Sequence, residues 1–442
     1  MFKKISVNYM CVYLLLSLII GGSASKSIYT DYILQLLSIP FILYMIFNVK
    51  FRQLNPIIWT ILLIVMSIFV IQLFPILSKT EGLDYISGDV GRTLDSLVFF
   101  ITCLAVFYAV YRQEEEGRAR FCRFFLLGVG LNFVVAVLQF ASAGAAIRIA
   151  GYPYTIRGGF FANPNHFSAL LYVSIPFFLL GFRNTRLNFI SYVIILAIAW
   201  FQLVVASAAG VLLSFACVLV STTWLSEWRI LRWGALGVAC LFAIAAFFFV
   251  PMVLDAELAN DLNRRVFALN TLRAIGDYWS LGSGFGTFTL IYPSYEAKTG
   301  IFDEFVNHAH NDYLELILEG GILIVVALVL YVLALLLKLT FGKIENQQKV
   351  ALLGIVFLLL HSLVDFPLRT MAMAVTFSFL NGLYFAPTRR LKHKIPNRIV
   401  ATAAAPKPSP GKSVPKYRPP RPSHQSNSGT DTMQRRREHH RR

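Results

Sequence analysis

The sequence predicts an all-α polytopic membrane protein, with about twelve transmembrane helices and one large extracytoplasmic loop. Three observations carry that expectation. Hydrophobic residues fill 57% of the 442 positions and charged residues only 14%, where a soluble chain carries about a quarter. Apolar runs near 20 residues, each long enough to cross a bilayer core, recur along most of the chain. Between them, Lys and Arg collect in alternate short loops.

Taken in order, the apolar stretches lie at 7–23, 31–49, 56–77, 93–111, 122–143, 165–182, 188–205, 208–225, 232–250, 314–337, 348–365 and 370–386. Every second loop is basic: Lys3-Lys4, then Lys50 and Arg52, then Arg112, Arg118, Arg120 and Arg123. The series continues with Arg183 and Arg186, Arg229 and Arg232, and Lys338, Lys343 and Lys349. The positive-inside rule therefore puts both termini in the cytoplasm. Residues 188–225 form nearly one apolar stretch. A turn at Ser207-Ala208-Ala209-Gly210 keeps two helices there, because a single span would invert every later loop against the charge bias. Met1 to Ser25 has a signal-peptide pattern and is read as an uncleaved first helix.

This organisation predicts helices one to nine over 1–250, a large outer loop over 251–313, helices ten to twelve over 314–386, and a tail over 387–442. Residues 389–442 hold 15 Lys and Arg against two acids, so 13 of the net +17 charge sits in the tail. Rich in Pro, Ser and basic residues, it is expected to be disordered and to lie near anionic headgroups. Its position argues against a nucleic-acid partner. The five cysteines, Cys11, Cys103, Cys122, Cys217 and Cys240, fall in or beside apolar runs with no metal-type spacing, and read as small buried apolar residues.

Histidine placement is the most informative feature. Four of the eight are in the tail; the others, His166, His308, His310 and His361, map to the outer ends of helices or to the outer loop. Arg148, Arg157, Arg264, Arg265, Arg273, Arg369 and Asp365 map to the same side. Within that loop Arg264, Arg265, Thr271 and Leu272 fit a helix, and Gly282, Gly284 and Gly286 mark a turn. His166 follows Asn163-Pro164-Asn165, a helix-start pattern. His361 is placed to bond a neighbouring helix, and Asp365 to cap or to pair with Arg369 four residues on.

In "NHAHNDYLELILEGG", His308, His310, Asn311, Asp312 and Glu315 crowd the mouth of an apolar helix. Three readings are open. His308 and His310 form an HxH metal pair only with further ligands nearby. Asn311 or Asp312 can cap the helix. Or a histidine serves as general base, oriented by Asp312 or Glu315. Arginines beside such a base would hold phosphate oxygens and stabilise a departing diphosphate. The constellation fits glycosyl transfer from a lipid-diphosphate sugar at the outer leaflet.

At four stretches the chain resembles the O-antigen ligase/polymerase (Wzy-type) membrane glycosyltransferases: "RGGFFANPNHFSALL", "NRRVFALNTLRAIGDYWSLGSGFGTF", "NHAHNDYLELILEGGI" and "HSLVDFPLRTMAMAVTFSFLNGL". The resemblance spans about 157 to 382. It implies a GT-C-like fold and an undecaprenyl-diphosphate-linked glycan donor. The implied acceptor is a hydroxyl on glycan, lipid A–core or protein. It implies an inverting transfer without cofactor or metal on the periplasmic face of the bacterial inner membrane. It implies His310 as the base, with Arg264 and Arg157 as diphosphate contacts. Many relatives carry Ser-Arg where this chain has Ser207-Ala208-Ala209-Gly210. That leaves the further contact to Arg265, Arg148 or Arg157, or implies a different donor. Two readings from other classes stand beside it: a transporter or flippase of lipid-linked glycan, and an inactive partner in exopolysaccharide assembly. A transporter should carry charge at mid-membrane, and charge here gathers at one face.

Overall fold

The computed structural model describes residues 6–22, 28–49, 55–77, 83–142, 158–181, most of 190–202, 208–225, 233, 263–296 and 305–387. Helices dominate them. In order they are α1 (Val7–Ile20), α2 (Ile28–Asn48), α3 (Pro56–Gln72), α4 (Val90–Tyr111), α5 (Glu115–Ala141), α6 (Pro164–Gly181) and α7 (Ala208–Leu225). Then come α8 (263–278), α9 (Asp312–Phe341), α10 (Asn346–His361) and α11 (Met371–Phe385). Helical residues also occur within 190–202. The ninth expected stretch, 232–250, apart from Trp233, and the basic tail lie outside the described residues, as do Arg148, Arg157 and Cys240. Segments of α2, α4, α5 and α9 are long and apolar enough to cross a membrane.

Local chemistry accounts for several helix ends. Asn55 accepts a hydrogen bond from Ile57 N and Pro56 opens α3. Asp89 caps α4 through Arg92 N. Asn163 accepts from Asn165 N as α6 starts at Pro164. The expectation of helix to residue 77 is corrected: α3 stops at Gln72, and Pro75–Leu77 pairs antiparallel with Leu83–Tyr85 as a short ribbon. Pro75 explains the stop, since proline disfavours helix at the residue before it and lacks the N–H a helix needs.

At the centre stands α11. All of its residues except Phe377 are buried, and it packs on α1, α4 and α10. A helix apolar all round belongs inside a bundle. Large apolar side chains on the outside, among them Leu36, Phe47, Leu63, Val134 and Val329, suit a lipid-facing surface.

The helix carrying the histidine motif is broken. At Gly321 the backbone turns to φ 62° within α9, where a side chain is disfavoured. The hydrogen bonds freed there are re-made by the glycine loop after α8. Ser283 N and Gly284 N donate to Leu318 O and Glu319 O, and Ile322 N donates to Trp279 O. Gln72, at the end of α3, donates to Leu281 O and Glu319 O and accepts from Phe285 N. Gly282, at φ 77°, lets the two backbones meet: a Cβ there would collide with the Glu319 carbonyl. Ala274, Ile275, Phe288, Tyr292, Ala309 and Leu318 form a small core of the outer segment. The loop thus rests on α9 and carries the histidines with it.

Candidate functional site

The site gathers where α6, α9 and α11 begin and α10 ends. Ala309 is buried in the outer core, and His308 and His310 flank it. His310 has φ 51°, the single non-glycine residue with positive φ among the described residues. Such a conformation is uncommon and is held only by its surroundings. Asn311 follows as N-cap of α9. Its Oδ1 accepts from Tyr313 N and Leu314 N, and its Nδ2 donates to Leu363 O. Cap and histidine motif therefore occupy one stretch.

The loop between α10 and α11 supplies the partners. Asp365, 1% exposed, is faced by three imidazoles: His310 Nδ1 at 3.5 Å, His166 Nε2 at 3.8 Å and His361 Nε2 at 3.8 Å. It also accepts from Asn165 Nδ2 at 2.9 Å and from Phe366 N. Burial alone would raise its pKa. The imidazoles of His166, His310 and His361 overcome that and hold the carboxyl well below the usual carboxylate range. His361 Nδ1 lies 2.8 Å from the Tyr172 hydroxyl of α6, so it does bond a neighbouring helix.

Aromatic rings fix the imidazoles. Phe366 stacks on His308 and meets His166 and His310 edge-on. Phe267 of α8 stacks on His310 with ring centroids 5.9 Å apart. Arg264, three residues before Phe267 and so on the same helix face, reaches the carbonyl of Val364, next to Asp365. Arg265 is exposed.

Four residues after Asp365, Arg369 forms the opposite kind of centre. It faces Asp312 at 3.6 Å, Glu315 at 3.5 Å and Glu319 at 2.7 Å, whose spacing puts them on one face of α9. These carboxylates overcome the effect of burial and raise the Arg369 pKa further, with Glu315 and Glu319 ahead of Asp312. Glu315 also binds His308 Nδ1 at 2.9 Å and accepts from Ala309 N. Glu319 accepts from Gly286 N and Phe288 N of the glycine loop. Asp312 accepts from Ser362 Oγ and Leu368 N.

One pairing expected from sequence is corrected here. Asp365 faces histidines, not Arg369, because Arg369 is drawn to the three carboxylates of α9. Of the two carboxylates expected to orient a histidine, Glu315 faces His308 and Asp312 faces Arg369. Sequence reasoning missed Asp365 as the partner of His310, and missed Phe267, Phe366 and Glu319 altogether. The signal for Asp365 was its place at the same outer end as all four non-tail histidines. Among the described residues no group of three or more His, Cys, Asp and Glu side chains is disposed to hold a metal ion.

Residues 203–332 match the family model described as O-antigen ligase. That segment is similar to the O-antigen ligase family. No curated protein matches the chain. The matched segment covers α7, α8, the glycine loop, His308, His310 and most of α9; His166, His361, Asp365 and Arg369 lie outside it and complete the site from elsewhere in the bundle. The match and the apolar helices support a membrane-embedded enzyme of the O-antigen ligase/polymerase type. Such a ligase implies a lipid-linked glycan donor and an acceptor in the membrane.

Proposed function

We propose that this protein is an inverting, metal-independent glycosyltransferase of the bacterial cytoplasmic membrane. It moves a glycan from undecaprenyl diphosphate to an acceptor hydroxyl on the periplasmic side, with both termini in the cytoplasm. One observation carries the reading: His310 is held with Nδ1 3.5 Å from buried Asp365 while Arg264 reaches the carbonyl of the residue before that aspartate.

The mechanism follows from those positions. Asp365 faces Nδ1, so Nδ1 carries the proton and Nε2 keeps the lone pair. Nε2 takes the proton of the acceptor hydroxyl as its oxygen attacks the anomeric carbon. The bond from that carbon to the diphosphate oxygen breaks, and the diphosphate leaves with the electron pair. Arg264 stabilises the charge that develops on it. Arg265 and Arg157 are the further contacts for the diphosphate, with Arg157 outside the described residues. The imidazolium left behind is stabilised by Asp365. The 3.5 Å separation is long for a hydrogen bond, and such contacts tighten when substrate binds. His308, Asn311, Asp312, Glu315 and His166 support the base: they hold its segment or share its carboxylate.

The test is surface glycan profiling of a deletion strain complemented with His310→Ala, with membrane levels of the protein checked. Loss of a general base lowers turnover by roughly 10² to 10⁴-fold, so long glycan on its acceptor should vanish while the protein persists. The glycan that disappears identifies the acceptor. Complementation equal to wild type would reduce His310 to a structural residue and end the proposal.

A further inference from the structure

The break at Gly321 marks a level in the bundle. From Ile322 to Phe341 α9 is unbroken helix and rises about 30 Å at 1.5 Å per residue, the thickness of a bilayer core. It runs beside α11 and in the same direction: Tyr331 Oη donates to Asn381 Oδ1, and Lys338 Nζ donates to Ala386 O. Counting back from either pair puts Ile322 level with the first turn of α11, at Met371. Ile322 thus stands at one edge of the bilayer core, at the end of the bundle that carries Asp365 and Arg369.

Both ends of α8 are tied to that level. At its start Arg264 reaches Val364 O, in the loop leading into α11. Just past its end Trp279 O accepts from Ile322 N. A helix about 24 Å long held to one level at both ends lies along the edge of the core instead of rising away from it. One side of it places Ala274 and Ile275 in the small outer core, and Phe267 stacks on His310. The other side is open: Leu269 is 48% exposed and Leu272 50%, and Trp279, seven residues on, is 47% exposed.

What covers that side follows from its neighbours. Spacings of three and seven put Leu269, Leu272 and Trp279 on one side. Trp279, joined to Ile322, heads the exposed face of α9, where Ile322, Val326 and Val329 follow at spacings of four and three. That face suits lipid, so one apolar stripe runs from it onto α8. Tryptophan gathers at membrane–water interfaces. Arg273, exposed four residues after Leu269, can lay its stem on apolar surface and reach lipid phosphate. We infer that α8 is an interfacial helix: Leu269, Leu272 and Trp279 enter the upper acyl layer of the leaflet on the His310 side, and Arg273 meets the phospholipid headgroups. Phe267, about 160° around the helix from Leu269, then holds His310 at headgroup height. The inference is read by lipid contact and stands whether or not His310 is the base.

The experiment is photolabelling of the full-length protein in phosphatidylcholine nanodiscs, with labelled residues mapped by mass spectrometry. Three diazirine probes are compared: a phosphatidylcholine with the diazirine beside the acyl carbonyl, one with it at the chain end, and a water-soluble glycerol phosphate. The shallow lipid probe should label Leu269, Leu272 and Trp279 as strongly as Ile322, and severalfold above the other two probes. The chain-end probe should favour Leu333, exposed on α9 and about 16 Å deeper than Ile322. Leu269→Gln combined with Leu272→Gln should lower shallow labelling of α8 roughly tenfold, the worth of about two buried methylenes, and leave Leu333 unchanged. Arg273→Glu, which sets an anion against lipid phosphate, should lower it severalfold. Labelling of α8 mainly by the soluble probe overturns the inference, because that side then meets water. Protection from all three probes overturns it too, because protein then covers the side. So does chain-end labelling equal to shallow labelling, and so does a double glutamine variant that labels like wild type. The comparison of probes on the wild-type protein decides the matter even if the variant fails to fold.

Discussion

Two ion centres sit four residues apart in the loop between α10 and α11, and they are opposites. Asp365 is one anion among three imidazoles, and one of these, His310, has 28% of its side chain exposed. Arg369 is one cation among three carboxylates with side-chain exposures of 2% or less. Imidazoles change charge near neutral pH, whereas a guanidinium does not. On the proposed mechanism the first centre passes a proton to and from something outside. The second holds a fixed charge and ties α9, the glycine loop and the α10–α11 loop together. On that reading, chemistry and anchorage are separated by a single turn of chain.

The largest expected effect breaks the anchor. In Arg369→Met, the carboxylates of Asp312 and Glu319 lose the cation that faces them, and Glu315 keeps His308 and the N–H of Ala309. Removing one partner of a buried ion pair costs about 3–5 kcal/mol. Thermal unfolding in detergent and abundance in membranes should both fall sharply, and activity with them. His310→Ala should remove activity and spare abundance. An Arg369→Met protein of wild-type stability would show that the second centre is not an anchor.

Gly282→Ala strikes the same anchorage through the backbone. Its left-handed conformation, φ 77°, costs a non-glycine residue roughly 1–2 kcal/mol, and the new Cβ collides with the Glu319 carbonyl. Hydrogen exchange should show the segment around residues 279–287 opening more readily, with α1 and α5 unaffected. Uniform exchange across the chain would mean that the loop and the kink at Gly321 are not locked together.

How much of this was legible beforehand depends on the range of the interaction. Most described helices lie within the apolar runs, because burial in lipid is written locally in composition, whereas α8 lies in none. Asn311 and Asn163 were readable as caps because capping spans three residues. The gathering of His166, His308, His310 and His361 at one end of the bundle followed from charge bias and helix ends. The pairing of those groups was not readable. Asp365 and Arg369 are neighbours at i+4, yet each is claimed by groups from distant segments: Asp365 by α6 and by the segment before α9, Arg369 by three carboxylates of α9. The break at Gly321 was masked by an unbroken apolar run, although Gly320-Gly321 stood in it as a signal.

Asp365→Asn sharpens the comparison from the catalytic side. The Asp365 carboxyl is depressed, so its stabilising contribution is complete above its unfolded value, about 3.9, and is lost only as pH falls through its lower folded value. Across neutral pH Asp365 therefore stays ionised. Removing its charge should lower kcat by about 10²-fold through misplacement of the base, with the membrane level of the protein unchanged. A normal kcat would show that Asp365 only packs the loop.

The smallest expected effect separates two adjacent arginines. Arg264 and Arg265 are about 100° apart around α8. Arg264 shares a face with Phe267, the ring stacked on His310, and reaches Val364 O; Arg265 is exposed. If the diphosphate is held on the His310 side, Arg264→Ala should cost about 10 to 10²-fold in kcat/KM for the lipid-linked donor, the worth of a charge-assisted contact. Arg264→Lys should recover only part, because an ammonium lacks the two parallel donors of a guanidinium. Arg265→Ala should change kcat/KM only severalfold, and that change should shrink as salt rises, as expected of a solvated charge. The opposite ranking would turn the bound donor toward the other face of α8. His310 would then need a different hydroxyl within reach, and the geometry around Phe267 would serve the acceptor instead.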